Sequence, residues 1–174
     1  TYNYTLFLSL LEFISWHKVY AKKRNIKINF YIFFETGKSI YHTNIHSAYK
    51  ENRKNSNFFG LDNETKDFFF KVIDKNYQTA IAVLNKIPDV SCIRLHMLEA
   101  DFIPYYLKSR NLIKQDGVSD IIYSLDKDML QCLSDDNTFM YFKHYKSAKM
   151  IAKKDIYTHY LKVEKLTTDL DYSY

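Results

Sequence analysis

The chain has 174 residues, 47% hydrophobic and 26% charged, and a formal charge of +5 from 25 Lys+Arg against 20 Asp+Glu. That length and balance suit one soluble globular domain with a core of its own and speak against a disordered or fibrous chain. A modestly basic surface suits a polyanionic partner, and because the acids cluster, the rest of the surface is more basic than the sum.

Tyr (16) and Phe (13) are abundant while Gly (3) and Pro (2) are scarce. With much Lys, Asn and Ile, this mix fits an AT-rich genome of viral or phage type. Cys92 and Cys132 lie in apolar runs, as inert core thiols do, in keeping with a reducing, cytoplasmic setting. The apolar run from Leu6 to Trp16 is broken by Glu12, has no small-residue cleavage site after it and is too short to span a membrane. The chain opens at Thr1 rather than Met, as expected of a processed chain or a piece of a longer one.

Thr5 to Arg24 reads as a helix with Leu6, Leu10, Leu11, Ile14 and Tyr20 on a broad apolar face and Lys18, Lys22 and Lys23 near its C-terminus. Ile26 to Phe34 alternates and then turns continuously apolar, the pattern of an interior parallel strand, and Glu35 ends it. The following Thr36-Gly37-Lys38-Ser39 is not a P-loop, because the upstream glycine that motif needs is absent. His42 to Asn55 carries Lys50, Arg53 and Lys54 against the single acid Glu51. On a helix Lys50 and Arg53 are three apart and can face one nucleic-acid strand, with Tyr49 stacking on an unpaired base. A solvated basic helix end explains the same run. His42 and His46 have the spacing of a zinc pair but no third ligand, and read as exposed histidines.

A second long helix is expected from Asn63 to about Lys86, with Phe69, Val72, Ile73, Ala80, Ile81 and Leu84 as core residues and Pro88 beyond its end. Val90 to Leu98 reads as a strand, Asp101 to Ile113 as a helix closed by Asp116-Gly117, and Ser119 to Leu125 as a buried strand followed by a short helix through Cys132. Asn137 to Tyr145 reads as an edge strand, with Lys143 guarding it against aggregation. Lys146, Lys149, Lys153 and Lys154 fit either that role or a strip of phosphate contacts. Asp155 to Val163 reads as a last helix. The alternation argues one three-layer α/β domain over residues 1–174 with a mostly parallel central sheet.

Two acidic pairs, Glu99/Asp101 and Asp126/Asp128, follow strands at their carboxyl ends, where open α/β sheets form sites. If the two strands are neighbours, four carboxylates converge. Such a cluster must protonate or take a cation, and hard oxygen ligands favour Mg²⁺ or Mn²⁺. Spacing alone equally allows the acids to be helix caps.

The wording adds to this. Glu99-Ala100-Asp101, then Ser124-x-Asp126-Lys127-Asp128-x-x-Gln131, resembles the signature of the 5′-nuclease family: flap endonucleases, the 5′-exonuclease domain of bacterial DNA polymerase I, and phage 5′-exonucleases of the RNase H type. The resemblance implies a PIN-like domain and metal-dependent hydrolysis of DNA or RNA–DNA hybrids bearing a 5′ end or flap, in replication or repair, with replication proteins as further partners and no membrane. It makes Glu99, Asp101, Asp126 and Asp128 metal ligands, and Glu35 a further one through water. Lys38, Lys50 and Arg53 would hold the scissile phosphate, and Tyr49, Lys54 and Lys127 would contact nucleic acid. Tyr49-Lys50-x-x-Arg53 matches a family segment leading to the arch over the site. Phe102 stands where the family has another Asp. The family's first Asp-tipped strand has no counterpart, nor does its later G-D-x-x-D-N segment with the helix–hairpin–helix; Asp169 and Asp171 do not reproduce the latter. The acids present would hold one ion well and a second poorly. The alternative is a PIN-like domain that has lost turnover and holds nucleic acid or a replication partner; a weaker third is an α/β interaction domain with no nucleic-acid role.

Overall fold

In the computed structural model the described residues are 2–35, 44, 62–96, 98–113, 117–144 and 147–156. They form a mixed α/β chain of two compact units, Thr1–Ala100 and Asp101–Tyr174.

The first unit contains α1 (Tyr2–Arg24), β1 (Phe30–Phe33), α2 (Asn63–Leu84) and β2 (Val90–Ile93). β1 and β2 pair in parallel, Phe30 opposite Val90 and Phe33 opposite Ile93. Parallel strands need a long crossover, and here it includes α2. Asp62 starts α2 as its N-cap, accepting from the Thr65 N–H at 2.8 Å and the Thr65 hydroxyl at 2.9 Å. Asn85 follows α2 and its side-chain oxygen accepts from the Cys92 N–H at 2.7 Å, fixing β2 against the helix end. Ile14, Phe30, Phe34, Leu84 and Val90 form the core of this unit.

Two expectations are corrected here. Tyr20 is 41% exposed rather than on the core face of α1; at 3.6 residues per turn it points about 120° away from Ile14. Phe69 and Val72 are also exposed, while Ala80, Ile81 and Leu84 reach the core. A helix of 22 residues runs ~33 Å, but a strand of four spans only ~13 Å, so one half of α2 outruns the sheet.

The second unit contains α3 (Phe102–Ser109), β3 (Asp120–Tyr123), a 3-10 helix (Lys127–Cys132), β4 (Thr138–His144) and β5 (Ser147–Ala152). β3 and β4 pair in parallel and β4 pairs antiparallel with β5, in the order β3-β4-β5. β4 is therefore the middle strand, not the edge expected from its lysine. The residues after it form a strand of their own, and their lysine-rich sequence had masked the pattern. Exposed Lys149 belongs to β5. Lys153 donates to the Ser134 carbonyl at 3.1 Å. The buried core of this unit is Met129, Cys132, Leu133, Met140 and Ile151. α3 ends at Ser109, short of the expected Ile113, and Asn111 (φ 55°) and Gly117 (φ 75°) take left-handed conformations beyond it. No helix among the described residues is long and apolar enough to cross a membrane.

Candidate metal centre

Asp126 and Asp128 lie just past the carboxyl end of β3. The Ser124 hydroxyl accepts from the Asp126 N–H at 3.0 Å, and the Asp126 carboxylate accepts from the Asp128 N–H at 3.0 Å. These two short-range bonds fold the chain from strand into 3-10 helix and turn both carboxylates to one side. Asp126 is thus a cap, as one reading of the spacing allowed. Capping uses one carboxylate oxygen, Oδ1, for this bond.

Asp101 stands at the cap position of α3, but its side chain makes no capping hydrogen bond to that helix. Instead one oxygen each of Asp101, Asp126 and Asp128 lie within 4.8 Å of one another. Asp126 and Asp128 are exposed and Asp101 half-buried. Strand adjacency is not what unites them: β2 pairs with β1, and β3 with β4. The helix α3 does it.

The opposite end of α3 shows how. Lys108, whose side chain is 8% exposed, donates to the Asp120 carboxylate and the Thr138 hydroxyl, both at 2.6 Å, and lies 3.4 Å from the Asp135 carboxylate. Asp120 opens β3 and Thr138 opens β4. Hence α3 runs antiparallel to the strand pair, its last turn at the strands' amino ends and Asp101 at the carboxyl end of β3. The lengths agree: seven helical residues rise ~10 Å, as do three strand steps. Thr138 is fully buried and also donates to Asp135 Oδ1 at 2.8 Å. Burial raises the Asp135 carboxyl, but the Thr138 hydrogen bond, the Lys108 ammonium and the Asn137 N–H outweigh it and hold the group below its ordinary value. Sequence reasoning missed this Lys–Asp–Asp–Thr node. Its only linear signal is Lys108 standing seven residues, two helical turns, after Asp101.

The other expected site residues fall differently. Glu35 is exposed in the first unit, and its carboxylate accepts from the Ala100 N–H at 3.3 Å. Arg94, paired with Asp74 at 2.5 Å, donates to the Glu35 carbonyl at 3.1 Å and holds the chain after β1. Glu99 belongs to the first unit and is buried, 4% exposed. Lys127 is the exposed first residue of the 3-10 helix. Phe102 is half-buried with its ring 5.5 Å from that of Tyr105. Lys38, Tyr49, Lys50, Arg53 and Lys54, with His42 and His46, lie outside the described residues.

The donor set Asp101, Asp126 and Asp128 is all carboxylate oxygen, which suits a small hard dication and not a thiophilic one. The cysteines offer no thiolate. Burial pushes the Cys92 thiol to about 11, and pushes Cys132 to about 12 with Asp101 adding to it and Lys108 opposing. No protein-family model, curated protein or solved structure matches this chain.

Proposed function

We propose that this chain is a Mg²⁺- or Mn²⁺-dependent 5′-nuclease with a three-layer PIN-like fold, acting on DNA or RNA–DNA hybrids that carry a 5′ end or flap. The observation that supports the reading is the Asp101–Asp126–Asp128 cluster, within 4.8 Å, at the carboxyl end of a parallel strand. The same residues carry the resemblance to the family's motif. Asp101, Asp126 and Asp128 would hold a divalent ion, which would supply an activated water and charge neutralisation for phosphodiester hydrolysis. Exposed Lys127, between Asp126 and Asp128 in the chain, is assigned to an incoming phosphate. Lys38, Lys50 and Arg53 are assigned to the scissile phosphate, and Tyr49 and Lys54 to the strand. Phe102 packs as an aromatic where a fourth acid would sit, so the triad serves a single ion best. Replication proteins in the cytoplasm are the assigned partners.

The test uses the full-length protein with Mn²⁺ and a 5′-flap DNA. Short 5′ products should appear, and Asp126→Asn, which keeps the cap acceptor but loses the charge, should slow their release on the order of a hundredfold or more. Uncut DNA overturns the enzyme. Tight, salt-sensitive binding without cleavage, untouched by Asp126→Asn, selects the binding-module alternative instead.

A further inference from the structure

The aromatic and basic face of α1 takes no part in the metal centre. Trp16 is 63% exposed although it is the chain's only tryptophan and its largest apolar side chain. Its ring stacks on Tyr20, with centroids 5.6 Å apart and planes 19° from parallel, and the Arg24 guanidinium lies 3.9 Å from the Tyr20 ring centre. Residues 16, 20 and 24 repeat at one helical turn, so the three groups form a ladder on one side of α1. From Phe13 to Phe34 the sequence has five Lys or Arg and no acid. Lys18 pairs with Asp89 at 3.4 Å, whereas Lys22, Lys23 and Lys27 enter no ion pair among the described residues.

Basic residues in a last helical turn are explained by the helix dipole. An exposed tryptophan laid flat on a tyrosine is not, since burial in the core is the favoured use of such a ring. We propose that this face of α1 is a docking strip for single-stranded nucleic acid, with Trp16 as the platform for an unpaired base and Lys22, Lys23 and Arg24 as contacts to the phosphates. Rings stack on any base, and the surrounding cations supply the sequence-independent attraction to a polyanion. Stacking between Trp16 and Tyr20 orders the platform before the strand arrives, which lowers the entropy lost on binding. The inference does not require the metal centre and stands or falls separately from cleavage.

Trp16 is its own reporter. Titrating the full chain with oligothymidylate at low salt and fixed pH should quench its emission in step with the anisotropy of a labelled oligonucleotide. Trp16→Leu should weaken binding about tenfold and Trp16→Phe should restore part of it. Lys22→Gln with Lys23→Gln should weaken binding while leaving the emission of the free protein unchanged. Saturated anisotropy with unchanged emission overturns the proposal, as does equal affinity for Trp16→Leu or no binding at low salt. A larger emission change on phosphatidylserine vesicles than on the oligonucleotide overturns it in favour of a membrane surface.

Discussion

Lys108 shows how one side chain sets the geometry of a distant group. Its ammonium sits among Asp120, Asp135 and Thr138 at the far end of the helix whose first residues carry Asp101 to its partners. Two carboxylates and a hydroxyl replace the water that burial takes from this ammonium. The same node makes stability acid-sensitive through Asp135. That carboxyl is held below its ordinary value of 3.8 in the folded chain, so it binds a proton more readily when unfolded. Its contribution is complete above the unfolded value and is lost as pH falls through the lower folded one. Urea unfolding followed from neutral pH into the acid range should show stability falling below about pH 4, and Asp135→Asn should be less stable at neutral pH and flatter over that interval. Equal slopes for the two proteins would remove Asp135 from the account. Beyond the two-turn spacing of Asp101 and Lys108, this node is not legible in the linear order, because its members are spread from 108 to 138 and only folding joins them.

At the scale of elements, what could be read from the sequence was the local pattern. Ser119 to Leu125 has a strand-like run, and β3 lies inside it at Asp120–Tyr123. Asp126 and Asp128 open the next helix as expected, and it proves to be a 3-10 helix. Asp101 joins them by a route other than the strand neighbourhood its sequence position suggests: packing of α3 delivers it. Apolar spacing predicts which face of a helix is buried but not which neighbour meets it; the exposed half of α2 makes the same point. Three carboxylates so close repel one another, which a bound dication relieves. Mn²⁺ should therefore raise the thermal midpoint of the protein, by about 2.7 kcal/mol of stabilisation at a hundred times the dissociation constant. In Asp101→Asn and Asp126→Asn the metal-free midpoint should stay level or rise slightly, and the Mn²⁺ increment should shrink. An increment preserved in both variants would place the ion elsewhere.

Over the whole molecule, charge is sorted rather than spread. The formal charge is only +5, yet the stretch from Phe13 to Phe34 holds five cations and no acid, while Asp101, Asp126 and Asp128 concentrate negative charge in the second unit. The composition announced a basic protein; it could not say that aromatic rings and cations would share a helix face, because Tyr20 read as core. A chain so divided should bind a strand through its acid-poor surface and depend steeply on salt, since each neutralised phosphate of a single strand releases about 0.7 of a counterion. Replacing Lys22 and Lys23 by Gln should make the slope of log affinity against log salt shallower by about 1.4 if both contact phosphates. Asp126→Asn, by contrast, removes a repulsive charge without removing a contact, and should leave that slope nearly unchanged. Fluorescence anisotropy over a salt series measures both. A slope altered by Asp126→Asn and indifferent to the lysines would locate the bound strand along the second unit and not on α1.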